Sequence, residues 1–170
     1  MAIKEKSESE VLHAMAKYCS TCERCVQEVE KKIQAAGLSK DAQERIIGRL
    51  TQERFIDERR YCRFFVNDKF KFNKWGRIKI DYELRKKNIP NDIRQEALLG
   101  IDETEYESLL TDILKAKLKS VKGKNAYDSL QKTLRFAVGR GFESDLAIKR
   151  LKLLTHTDYN KNEEMVDTLE

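Results

Sequence analysis

Apolar residues recur along this chain at helical spacing, and one short pattern appears three times. Gly37, Asn88 and Gly141 occupy equivalent positions in the segments AAGLSKDAQERIIGRL, KKNIPNDIRQEALLGI and GRGFESDLAIKRLKLL, at spacings of 51 and 53 residues. Glycine and asparagine adopt the left-handed backbone conformation most easily, and a residue in that conformation commonly ends a helix. An apolar residue and then a helix-starting residue follow in each case, so the pattern predicts three helix ends followed directly by new helices.

The helix after each of these ends carries the same apolar stripe. Its apolar positions have the spacing i, i+4, i+5, i+8, which places them on one helix face. Arg150 is the one charged residue in the pattern. The aligned sets are Ala42, Ile46, Ile47 and Leu50; Ile93, Ala97, Leu98 and Ile101; and Leu146, Arg150, Leu151 and Leu154.

Each repeat leaves room for two more helices before this one. Asp57, and Asp102 or Thr104, are suitable capping residues for the opening helices of the second and third repeats. Middle helices are expected over 21–36, 74–87 and 125–140. We therefore predict an all-α fold of three tandem three-helix repeats, each too small to be very stable alone. The expected boundaries are an N-terminal tail at 1–9, repeats at 10–53, 54–101 and 102–154, and an acidic C-terminal tail at 155–170.

Composition favours long helices in a cytoplasmic protein. The chain has only seven glycines and one proline among 170 residues, and such a scarcity of helix-breaking residues disfavours a β-sandwich or barrel. It contains no stretch of about 18 apolar residues, so no membrane span is expected. The charged N-terminus lacks the apolar core of a signal peptide, and its cysteines are expected to be reduced.

Basic residues cluster in two blocks. Residues 54–87 contain twelve Lys or Arg and five Asp or Glu, and residues 115–150 contain ten and three, so each block has a net charge of +7. Because the whole chain carries +5, the remaining residues together carry −9. Basic blocks of this kind suit a polyanion such as nucleic acid, or an acidic protein surface. Two solvated helix faces are the alternative.

The stretch CSTCERC at 19–25 places three of the four cysteines at intervals of three residues. Ser20 and Glu23 have the S-x-x-E spacing of a capping box, which predicts that a helix starts there. Cys22 and Cys25 would then fall on the apolar stripe of that helix. Because free cysteine packs as a small hydrophobic residue, this placement predicts a packing role for both thiols.

A metal site at these cysteines is the less favoured alternative. Zinc sites usually draw pairs of ligands from separate elements, whereas only Cys62, His13 and His156 remain elsewhere in the chain. A reactive thiol at Cys22, close to a helix N-terminus, is a further alternative. The chain has neither a phosphate-binding G-x-x-x-x-G-K motif nor the H-E-x-x-H motif of metalloproteases. We therefore expect no enzymatic activity, no cofactor and no metal.

Two stretches of the middle repeat, FIDERRYCRFFV at 55–66 and GRIKIDYELRKKNI at 76–89, resemble the RecX family of regulators of the RecA recombinase. Asn88 stands where the family usually has glycine, a substitution that a helix C-terminus tolerates. The order of elements agrees over about residues 10 to 154. The family pattern Gly-x-x-x-Ile-x-x-Glu-Leu-x-x-Lys-Gly-Ile is carried by Gly76, Ile80, Glu83, Leu84, Lys87 and Ile89.

The resemblance implies a function that composition and periodicity do not indicate. It implies an elongated, curved helical array that binds RecA, single- and double-stranded DNA and the groove of the RecA–DNA filament. Such a protein modulates, and usually inhibits, recombinase and ATPase activity in recombination, DNA repair and the SOS response. We expect it to act as a monomer. The alternative is a general nucleic-acid-binding helical repeat protein that does not act on RecA.

The basic middle helix of the second repeat is the strongest candidate for a binding surface, because a filament groove contains DNA phosphates. The segment before it interleaves lysines with Phe70, Phe72 and Trp75. These aromatic residues can pair phosphate contacts with base stacking or protein contact, or they can fill the core at a helix junction. The expected DNA- or RecA-binding residues are Lys71, Lys74, Arg77, Lys79, Arg85, Lys86, Lys87, Lys132, Arg135 and Arg140.

Overall fold

A computed structural model describes the backbone of residues 7–166 and the side chains of residues 7–156. All regular secondary structure in this range is helical, which confirms the all-α prediction. None of these described helices is both long and apolar enough to cross a bilayer. The helices are α1 (Glu8–Thr21), α2 (Val26–Gln34), α3 (Lys40–Gln52), α4 (Glu58–Lys71), α5 (Arg77–Lys86), α6 (Asn91–Leu99), α7 (Glu103–Ser120), α8 (Ala126–Gly139) and α9 (Ser144–Val166).

The chain divides into two compact units. The first unit comprises the residues up to Asp68 together with Asp81–Gly100, and the second comprises Lys69–Ile80 and the residues from Ile101 onward. The boundaries of the three repeats stay a prediction. Of the predicted tails, residues 1–6 and 167–170 lie outside the described residues, while α1 already begins at Glu8 and α9 continues through Val166.

In the first unit, α1, α2 and α3 pack against one another around buried aliphatic side chains. The capping box that starts α1 is formed by Ser7 and Glu10. The Ser7 backbone N–H donates to the Glu10 carboxylate at 2.8 Å, and the Glu10 N–H donates to the Ser7 hydroxyl at 3.3 Å. These bonds satisfy N–H groups that the first turn of a helix leaves without partners. The core is formed by Val11, Cys19, Val29, Ile33, Ile46, Leu50 and Ile56.

The three predicted helix ends are confirmed. Gly37, Asn88 and Gly141 have φ angles of 75°, 59° and 90°, all in the left-handed region. The predicted caps are also present: Asp57 accepts from the Arg60 N–H at 2.9 Å, and Asp102 accepts from the Glu105 N–H at 2.9 Å. Arg54 and Lys74 also have positive φ, which the sequence pattern did not predict.

The predicted capping box at Ser20 and Glu23 is wrong. Helix α1 continues through Thr21, and the Ser20 hydroxyl donates to the Ala16 carbonyl one turn earlier at 2.8 Å. Glu23 lies between the helices and pairs with Arg60 at 2.6 Å. The middle helix begins only at Val26, so the serine ends one helix instead of starting the next.

The cysteines lie in two kinds of environment. Cys19, Cys25 and Cys62 are buried, whereas Cys22 is exposed, so its predicted place on an apolar stripe is wrong. Burial raises the pKa of the Cys19 and Cys25 thiols, and it raises the pKa of Cys62 to about 12. Among the described residues, no group of three His, Cys, Asp or Glu side chains is placed to hold a metal ion.

Native-state thiol labelling should separate the exposed cysteine from the buried ones. With a maleimide near neutral pH, Cys22 should react quickly and the three buried cysteines only after unfolding, because alkylation requires an accessible thiolate. After a short pulse, mass spectrometry should detect one label on the wild-type chain and none on the Cys22→Ser variant. Equal labelling of Cys25 and Cys22 in the folded protein would contradict this packing.

In the second unit, α7, α8 and α9 pack against one another, and three aromatic rings form part of the core. Tyr106 lies between Phe70 and Phe142, with ring centroids 5.8 and 5.2 Å away. Arg150, the charged exception in the apolar pattern, is half-buried on α9 and pairs with Glu107 on α7. The ion pair therefore replaces the apolar contact that the pattern predicts at this position.

Candidate nucleic-acid interface

Within the second unit, the start of α5 lies directly against the junction of α8 and α9. The Gly76 N–H donates to the Arg140 carbonyl at 2.8 Å, and the Ile78 N–H donates to the Gly141 carbonyl at 3.0 Å. A Cβ atom at Gly76 would lie 2.2 Å from the Gly141 carbonyl oxygen, so a side chain at this position would clash with the backbone. The two glycines therefore allow two backbone segments to meet without intervening side chains.

This backbone contact gathers three of the predicted cations. The Arg140 guanidinium donates to the carbonyl of Asn73 at 2.9 Å, next to Lys74, whose φ of 54° turns the chain. Lys79 lies on the first turn of α5, beside Gly141. Its ammonium is 4.6 Å from the centre of the Trp75 ring, within the range of a cation–π contact.

The aromatic residues of this segment have different environments. Phe70 is buried against Tyr106, so the core-filling alternative describes it correctly. Trp75 is half-buried, with the ammonium groups of Lys69 and Lys79 at 5.7 and 4.6 Å from its ring centre. Phe72 is 77% exposed, so its ring is free to contact a base or a protein surface.

Arg77, a central residue of the predicted surface, is engaged inside the second unit. Its guanidinium pairs with Glu103 at 2.6 Å and lies 3.9 Å from the centre of the Tyr106 ring. Its backbone N–H donates to the Tyr106 hydroxyl at 3.0 Å, and that hydroxyl donates to Glu143 at 2.6 Å. Arg77 therefore holds the helix start in place and is not available to a ligand without breaking these contacts.

Four more of the predicted cations also have carboxylate partners. In the first unit, Lys87 pairs with Glu28 at 2.7 Å and is only 25% exposed. Binding a phosphate with such a residue requires breaking an existing ion pair, which lowers the net gain. The remaining pairs are Arg85 with Asp81 at 3.0 Å, Lys86 with Glu83 at 3.2 Å and Lys132 with Asp128 at 2.9 Å.

The other five predicted cations have no carboxylate partner among the described residues, and all five belong to the second unit. We call them the unpaired cations. Arg135 donates to a carbonyl of its own helix at 3.3 Å, and its charge, after that of Lys132, helps to lower the pKa of the Asp128 carboxyl. Lys71 and Lys74 are exposed on either side of Phe72. The unpaired cations are Lys71, Lys74, Lys79, Arg135 and Arg140.

Lys117 was not among the predicted residues, and it too has no carboxylate partner among the described residues. It lies on α7, with its ammonium 4.7 Å from the centre of the Phe136 ring, and Arg140 lies 5.1 Å from the same ring. In the sequence, Lys117 coincides with an apolar stripe position of α7. A lysine at such a position places its apolar stem along the helix and its charge at the surface, which is the signal that could have identified it.

Comparison with known proteins agrees with this architecture. The family model for the second three-helix domain of RecX matches residues 57–98. Regulatory protein RecX of Prosthecochloris aestuarii is 32% identical over 143 residues, which cover 82% of this chain and 90% of that protein. Regulatory protein RecX of Lactobacillus johnsonii is 27% identical over 144 residues. Those residues cover 84% of this chain, which spans only about half of that relative, 53% of its length.

A solved structure resembles the fold as well. The crystal structure of RecX from Lactobacillus salivarius matches with a TM-score of 0.80 over 87% of this chain and 96% of that chain. Sequence identity in this comparison is 20%. At that identity, the structural likeness supports the helical fold and carries no information about individual binding residues.

Proposed function

Because this chain belongs to the RecX family of regulatory proteins, we propose that it binds RecA and RecA–DNA filaments and inhibits recombinase and ATPase activity. The proposed role is in recombination, DNA repair and the SOS response, in the cytoplasm. We propose RecA as the partner because the middle repeat resembles the family of RecA regulators. We further propose that the chain acts as a monomer, by binding and without catalysis.

The observation that supports DNA contact is the set of unpaired cations in the second unit. A cation without a carboxylate partner gives up little when it meets a phosphate, whereas a paired one must break an existing contact. Along the chain, Lys71 and Lys74 also lie on either side of Phe72, whose exposed ring offers a surface for a base. We therefore propose that DNA mainly contacts the segment before α5 and α8, and not the middle of α5.

Salt dependence of DNA binding tests this assignment. The triple variant Lys71→Ala, Lys74→Ala, Arg135→Ala should lower the slope of log K against log salt by about two on single-stranded DNA, because each lost phosphate contact removes about 0.7 of a unit. The matched control removes three cations that have carboxylate partners: Arg85→Ala, Lys86→Ala, Lys132→Ala. That control should change the slope by less than about one unit.

Binding to a single-stranded oligonucleotide over a series of salt concentrations measures both slopes. If the control lowers the slope as much as the unpaired-cation variant does, carboxylate pairing does not decide which cations meet DNA. If neither variant changes the slope, the DNA contacts lie elsewhere in the chain.

A further inference from the structure

The second unit contains an open groove along one face of α7. Its volume is about 490 Å³, within the range of about 300–1,000 Å³ that is usual for ligand sites. Helix α7 forms the floor, while α8 and the turn before α5 contribute the rest of the lining. The lining residues on which its chemistry depends are Lys74, Leu109, Ile113, Ala116, Lys117 and Arg140.

The floor of the groove is an apolar stripe. Leu109, Ile113 and Ala116 have the spacing i, i+4, i+7, so they follow one another along the same face of α7. From Leu109 to Ala116 the stripe extends about 10 Å at 1.5 Å per residue. A stripe of this length accommodates several successive side chains of a bound segment and not merely one small molecule.

The rim of the groove is positively charged. Lys74, Lys117 and Arg140 have no carboxylate partner among the described residues, and Asp112 is the one acidic residue in the lining. The single aromatic residue of the lining, Phe136, already contacts the cations of Lys117 and Arg140. A base would have to displace them in order to stack, so the groove offers no free aromatic ring to a nucleic-acid base.

We infer that this groove binds an acidic segment of a protein partner that carries apolar side chains at helical spacing. The apolar side chains would lie on Leu109, Ile113 and Ala116, as when an amphipathic helix packs into a groove. The carboxylates would meet the cations of the rim, and this complementarity excludes basic or neutral segments. Lys74 and Arg140 of this rim also belong to the unpaired cations proposed above to contact DNA, whereas Lys117 and the apolar stripe belong to the groove alone.

Fluorescence polarisation with a labelled peptide of about twelve residues, in which leucines recur every three or four positions among glutamates, tests the inference. Lys117→Glu reverses a rim charge, and Ala116→Glu blocks the floor. Lys115→Glu is the matched control, because it makes the same charge change on the same helix at an exposed residue that does not line the groove. Thermal melts check that all three variants fold.

The wild-type chain and Lys115→Glu should bind the peptide alike. Lys117→Glu and Ala116→Glu should weaken binding by at least about tenfold, and a peptide with serine in place of leucine should bind as weakly. No binding to the wild-type chain, or equal losses in Lys117→Glu and Lys115→Glu, would overturn the inference. So would equal binding of the serine peptide together with its displacement by an oligonucleotide, which would mean that the groove binds polyanions in general.

Self-association is a separate outcome. If sedimentation shows a dimer that Lys117→Glu disrupts while the peptide does not bind, the groove accepts a second copy of the chain and the inference is overturned. None of these outcomes depends on RecA, and Lys115, Ala116 and Lys117 are not part of the variants that test DNA binding. Failure of this inference and failure of the proposed function can therefore be distinguished.

Discussion

Gly141→Ala should destabilise the protein by about 3 kcal/mol. Two costs add at this position. The backbone has a φ of 90°, which any residue with a Cβ atom adopts under strain. The new Cβ atom would also lie 2.3 Å from the Cβ and 2.5 Å from the backbone nitrogen of Lys79. The melting temperature should fall by about 6–12 °C.

Gly37→Ala is the matched control. Gly37 ends the corresponding helix of the first repeat with a φ of 75°, but an added Cβ atom would have no neighbour within 4 Å. This variant should therefore be destabilised only by backbone strain, by about 1 kcal/mol. Equal melting temperatures for the two variants would contradict the close contact between Gly141 and the start of α5.

Arg77→Ala should cost about 2 kcal/mol of stability, whereas Arg85→Ala on the same helix should cost less than about 0.5 kcal/mol. The side chain of Arg77 is 23% exposed and pairs with Glu103, while that of Arg85 is 67% exposed and pairs with Asp81 only one turn away. Removing Arg77 also uncovers the ring of Tyr106. Urea unfolding curves measure both effects.

Tyr106→Phe provides a second test of the same network. The Tyr106 hydroxyl accepts from the Arg77 N–H and donates to Glu143, so its removal should also destabilise the protein, by about 1–3 kcal/mol.

If Arg77→Ala and Arg85→Ala unfold at the same urea concentration, Arg77 is a surface residue like its neighbour. It would then return to the set of candidate binding residues.

The helix ends were predictable because they depend on local chemistry. A left-handed residue followed by an apolar one identifies Gly37, Asn88 and Gly141 without any knowledge of tertiary contacts. The same reasoning failed at Ser20, where the S-x-x-E spacing occurs but the hydroxyl bonds back to Ala16. Serine can stabilise a helix start or bond to the preceding turn, and the sequence alone does not decide between them.

The binding residues were less predictable, because pairing of charges is a tertiary property. Lys87 meets Glu28 and Arg77 meets Glu103, partners that lie 59 and 26 residues away along the chain. Counting charges found both basic blocks, but it could not separate these paired residues from the unpaired Lys71 and Lys74. Lys117 was missed for another reason: helical spacing places it on the apolar stripe of α7, where a buried residue is expected.

RecA ATP hydrolysis on single-stranded DNA, measured with this protein at a small fraction of the RecA concentration, tests the central claim most directly. We expect the wild-type chain and the variant lacking Arg85, Lys86 and Lys132 to inhibit hydrolysis alike. The variant lacking Lys71, Lys74 and Arg135 should need at least about tenfold more protein for the same inhibition. Inhibition that appears only when the protein is abundant enough to coat the DNA would contradict regulation of RecA and would indicate a general DNA-binding protein.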